Sequence, residues 1–81
     1  MVVSVEMRAF GDPGEIREVD VPDVEWEQAV PLDRLNLAWH WGQNETQPRE
    51  HCSVSVGDVI RMDGKRYMVK PFGFEEVTDA S

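Results

Sequence analysis

The sequence predicts an α+β fold: one small domain in which a helix packs on an antiparallel sheet of about four to five strands, in the order β-β-α-β-β. Three observations predict it. Val3, Val5, Met7 and Ala9 alternate with Ser4, Glu6 and Arg8, the period of a half-buried strand. Pro31 to Trp41 carries apolar residues at helical spacing. From Ser53 onward small polar and apolar residues alternate again. They lead into Val59-Ile60-Arg61-Met62 and Lys65-Arg66-Tyr67-Met68-Val69 around the turn pair Asp63-Gly64, which reads as strand and hairpin. At 81 residues there is room for one core, and such a chain buries only about 60% of its unfolded surface.

Residues 1–22 form the N-terminal hairpin. Gly11-Asp12-Pro13-Gly14 is a strong turn signal, after which Ile16, Val19 and Val21 run to Pro22. A loop from Gly11 to Glu15 sets Val5 opposite Val21, Met7 opposite Val19 and Arg8 opposite Glu18. A loop shorter by one residue sets Met7 against Glu18 and Val5 against Asp20, which a core rejects. Val24-Glu25-Trp26-Glu27 fits either a short extended piece or the approach to a helix. The helix spans 31–42, with Leu32, Leu35 and Trp39 on one stripe and Leu37 and Trp41 on the next. Its ends agree: Pro31 suits a first turn, Asp33 the positive end of the dipole, His40 the negative end, and Gly42 the stop.

A polar loop containing Pro48 precedes the C-terminal strands, 52–77. There Cys52, Val54 and Val56 are expected to face inward while Ser53 and Ser55 face out. The hairpin over Asp63-Gly64 fits a two-residue turn or a three-residue bulged one. Pro71 interrupts pairing, Gly73-Phe74-Glu75-Glu76-Val77 adds a short last strand, and the final residues are expected to fray.

Composition narrows the function. The chain is 41% hydrophobic and 30% charged, too apolar for full disorder, and has no apolar run able to span a bilayer. Cys52 is the only cysteine, so no internal disulfide forms, and a reducing, cytoplasmic setting follows. No basic region precedes an apolar stretch at the N-terminus, so secretion through a signal peptide is not expected. The net charge is −8 and unevenly spread. Glu18, Asp20, Glu25 and Glu27 belong to an acidic stretch from Asp12 to Asp33, whereas Arg61, Lys65, Arg66 and Lys70 cluster near the C-terminus. An anionic surface suits a basic protein partner and disfavours nucleic acid, which needs cations against its phosphates. The basic hairpin is the alternative, a local nucleic-acid contact, although it lacks interleaved aromatics. Opposed charges also permit a homodimer, acidic strand against basic hairpin.

No catalytic signature stands out. His40, His51 and Cys52 are the residues that resemble metal ligands or a nucleophile. His51 and Cys52 are adjacent, and on a strand they point to opposite faces, whereas a metal site needs three or four converging ligands. A Cys–His nucleophile needs an oriented base and a cleft, and the chain is short for both. No catalytic residue, metal site or cofactor is therefore expected. Trp26, Trp39 and Trp41 are read as core residues. Trp39 and Trp41 lie two apart on a helix and cannot share a face, so one of them should be partly exposed and could anchor a partner. Trp41 is the expected anchor.

Gly42-Gln43-Asn44, Ser53-Val54-Ser55-Val56-Gly57-Asp58-Val59-Ile60, Tyr67 and Gly73-Phe74 resemble the YodL-like domain. That small domain recurs in large polyvalent proteins of phages and conjugative elements and in small bacterial proteins. The resemblance covers roughly Leu35 to Val77. It departs where Lys70 replaces an expected acidic residue, and the N-terminal hairpin has no counterpart. The resemblance implies a protein of a phage or mobile element that acts by binding host or phage proteins, without enzymatic activity and with no catalytic residues to carry over.

Overall fold

A computed structural model describes residues 1–12 and 14–77; the expected fraying of the final residues and the Pro13 position of the turn lie outside the described residues. Five strands and two helices follow in the order β1 (Val2–Glu6), β2 (Ile16–Asp20), α1 (Asp23–Gln28), α2 (Pro31–Trp41), β3 (Val59–Met62), β4 (Lys65–Val69) and β5 (Phe74–Val77). The strands form one antiparallel sheet in the order β2-β1-β3-β4-β5. The fold class is as expected, with a second helix added.

Alternation along β1 and β2 puts Val3, Val5, Val19 and Val21 on one face, where they join Trp26, Leu35, Ala38, Val54, Ile60, Met62 and Val69 in the core. Burying each of these larger side chains contributes about 1.5–3 kcal/mol. The other face carries Ser4, Glu6, Glu18, Asp20, Arg61 and Arg66.

The first hairpin differs from its expected register. Val5 pairs with Arg17, Val3 with Val19 and Ser4 with Glu18, so the strands slip by four residues and the loop runs from Met7 to Glu15. An even slip preserves the facing of every side chain, which is why the apolar pattern cannot detect it. The long loop is held from afar: the Ala9 N–H donates to the Asp58 carboxylate at 2.8 Å, and Met7 N–H closes on Glu15 O at 2.9 Å. Arg17 faces the core by the same parity in either register, and the slip sets it opposite Val5.

The ambiguous Val24–Glu27 stretch is helical, the body of α1, and buries Trp26. The longer helix has its expected limits, but its buried stripe is Leu35 and Ala38, with Leu37 and Trp41 packed alongside. Leu32 (61% exposed) and Trp39 (42% exposed) look outward, contrary to the expected stripe. Gly42 ends the helix at φ −79°, so a left-handed cap is not what requires glycine there. A Cβ would collide with the Val54 side chain and crowd Ala38 O, and that close approach is what demands it.

Residues 52–56 are not a strand. Val54 alone is buried, while Cys52 and Val56 are exposed. The segment's backbone donors leave any ladder: Val54 N–H goes to Gly42 O at the end of the helix, and Ser55 N–H to a side chain. Asp58 accepts the Ser55 N–H at 2.8 Å as well as that of Ala9, and Gly57 turns the chain at φ +100°. The β3–β4 hairpin resolves to a two-residue turn: Met62 pairs with Lys65, with Asp63 at φ 53° and Gly64 at φ 75°, the geometry that Asp-Gly favours.

Candidate functional site

The acidic residues gather around β2, an edge strand. Glu18 and Asp20 lie on the sheet face away from the core, and Glu25 and Glu27 follow on the exposed side of α1. Asp20 pairs with Arg49 at 3.1 Å. Among the described residues Glu18, Glu25 and Glu27 have no ion-pair partner.

The strand is fastened to the segment 43–54 by Arg17, a residue that sequence reasoning missed. Arg17 is 0% exposed. It donates to Cys52 O at 2.8 Å and to Gln47 O at 2.6 Å, while its Nε has no partner. Burial, helped by the charge of Arg49, lowers its pKa from the ordinary value. Burying a cation against neutral carbonyls is costly, so the site rests on packing and on these two bonds. The available signal was parity: Arg17 sits two residues before buried Val19 on the same strand face. The Gln47 side-chain amide completes the fastening, accepting from the Asp20 N–H and donating to the Asp20 carbonyl, both at 2.9 Å. His51 Nδ1 meets the Glu15 carboxylate at 3.1 Å.

The cations near the C-terminus are engaged within the molecule. Glu6 receives Arg66 through Nε at 2.7 Å and NH2 at 2.9 Å, and Arg61 through Nε at 3.1 Å. Hydrogen bonding from Arg66 is the main cause that holds the Glu6 carboxyl down at about 2; burial opposes it and Arg61 adds to it. Lys65 pairs with Glu76 at 3.6 Å and Lys70 with Glu75 at 3.1 Å.

His40, His51 and Cys52 do not converge. His40 lies in the last turn of α2 with its ring edge-on to Trp41 at 5.5 Å, His51 is engaged by Glu15, and the Cys52 thiol is exposed. Among the described residues no group of three or more His, Cys, Asp or Glu side chains is placed to hold a metal ion. No helix of the described chain is long and apolar enough to cross a membrane. Of the tryptophans, Trp41 is packed against the core with its Nε1 buried, and Trp39 is the one presented to solvent, the reverse of the expected anchor. The reason is the helix face: Leu35 and Ala38 turn inward, and Trp41 lies one turn beyond them. Trp39 lines a groove with Val56, Pro71 and Phe74.

No family model, no curated protein and no solved structure matches this chain.

Proposed function

We propose that this chain is a non-enzymatic, cytoplasmic interaction protein of a phage or mobile element, binding a cationic protein partner through its acidic N-terminal half. The mobile-element setting rests on the YodL-like resemblance. The observation that carries the binding reading is an asymmetry in charge pairing. Every lysine and arginine except Arg8 is already engaged by a carboxylate, a carbonyl or an aromatic ring within the chain. Glu18, Glu25 and Glu27 are exposed, and no described residue pairs with them. Much of the net charge of −8 therefore remains available to a partner. The same pairing weakens the case for nucleic acid on the Arg61, Lys65, Arg66 and Lys70 hairpin. It equally removes the cationic half that a charge-driven homodimer would use.

The test is capture from nuclease-treated bacterial lysate at low and high salt, using the wild type and a variant carrying Glu18→Gln, Asp20→Asn, Glu25→Gln and Glu27→Gln. Basic proteins should be retained by the wild type, and their yield should fall about tenfold or more at high salt and in the variant, because exposed charges are screened within about a Debye length. Retention that survives both changes refutes the reading. Recovery of nucleic acid alone, before nuclease treatment, transfers the function to the hairpin.

A further inference from the structure

We infer that the open edge of β2 is a docking site for an extended basic segment, which joins the sheet as an added strand beside Glu18. This rests on the acidic-surface reading and specifies how the partner is held.

The ladder determines which groups are open. Val21 N–H bonds Met1 O and Met7 N–H bonds Glu15 O, so odd-numbered residues of β2 point their backbone groups at β1. The N–H and C=O of Ile16, Glu18 and Asp20 therefore point away from the sheet. At Asp20 a side chain has taken the place of a neighbouring strand, with the Gln47 amide making the donate-and-accept pair that a backbone would make. At Ile16 and Glu18 no described group does so. The fastening segment holds β2 on the core side through Arg17, which bonds Gln47 O and Cys52 O, and near the two ends of the strand through Gln47 and Arg49 at Asp20 and His51 at Glu15. The edge beside Glu18 is left clear of that segment's bonds.

Charge selects the occupant. Glu18 and Asp20 project from the open sheet face beside this edge, and Glu25 and Glu27 extend the acidic surface beyond it. A second copy of β2 would bring like charges together, which an edge strand uses against self-pairing. A strand alternating lysine or arginine with apolar residues sets a cation over Glu18, whose carboxylate no described residue engages, while its backbone pairs with the edge and Asp20 keeps Arg49. Gln47 then acts as a displaceable stand-in that keeps the Asp20 groups satisfied until the strand arrives.

The experiment is amide hydrogen exchange followed residue by residue on the full chain. Its probes are a short synthetic peptide alternating lysine and valine, and a twin N-methylated throughout its backbone. In the free protein the Ile16 and Glu18 amides should exchange fast. Saturating peptide should slow both about tenfold or more, and the methylated twin should not. Gln47→Ala should speed exchange at Asp20, and the peptide should restore its protection. If both peptides bind equally, salt-sensitively and without protecting Ile16 and Glu18, strand addition is overturned while the acidic surface stands. If neither peptide binds at low salt, strand addition is overturned, and the lysate capture decides the broader reading by itself. Protection that rises with protein concentration in the absence of peptide assigns the edge to a second copy and also overturns the proposal.

Discussion

Replacing Arg17 is the sharpest test of how this fold is held. Arg17→Ala removes a fully buried side chain whose guanidinium bonds Gln47 O and Cys52 O at 2.6 and 2.8 Å. Each part-buried carbonyl that loses its donor costs up to about 1–3 kcal/mol, less where water reaches it, and lost packing adds to this. Relief from burying a cation offsets part of the cost. The expected net loss is about 2–4 kcal/mol, a large share of the roughly 4–12 kcal/mol expected for a chain of this length. That corresponds to a fall in Tm of roughly 10–30 °C. Arg17→Met separates the two contributions, since it keeps most of the volume but restores neither bond. If Arg17 serves as an anchor, Met loses about 1–3 kcal/mol and exchange accelerates across residues 43–54. If it is only filler, Met is neutral or stabilising. Urea unfolding followed by tryptophan fluorescence measures both variants, at low and at high salt, and the loss should not depend on salt because the group is buried. A loss below about 1 kcal/mol for Ala, with unchanged exchange in 43–54, refutes the anchoring argument.

Two further expectations concern carboxylates. Glu6 has a folded-state pKa depressed from 4.5 to about 2, so its contribution is present above the unfolded value and is lost as pH falls through that window. Glu6→Gln should therefore be less stable than wild type by about 1–2 kcal/mol at neutral pH, after solvent screening of a partly exposed pair. The gap should close between pH 4.5 and about 2, and a gap that persists at the acid end sinks the assignment. Asp58→Asn leaves one of the two donors, Ala9 N–H or Ser55 N–H, facing an amide NH2. The expected loss is about 2 kcal/mol with faster exchange at Ala9 or Ser55, and unchanged protection at both residues contradicts the role given to Asp58.

The sequence by itself determined what depends on near neighbours. Alternation set which residues of β1 and β2 face the core, because successive side chains of a strand point to opposite faces. Pro31 and Gly42 marked the long helix, and Asp63-Gly64 marked a tight hairpin whose positive φ values those residues tolerate. The tertiary structure alone decided what depends on residues far apart in the chain. Strand parity is blind to a slip of four, and the observed register is supported by contacts across 49 residues (Ala9 to Asp58) and 35 residues (Arg17 to Cys52). The serine-valine alternation reads as a strand, yet Asp58 captured its backbone donor and bent it into a turn. For the candidate site, the acidic residues were legible in the charge pattern. Their freedom was not, because it depends on which cations the folded chain had already engaged. Nor was the open edge at Glu18 legible, because an edge exists only once the strand order does.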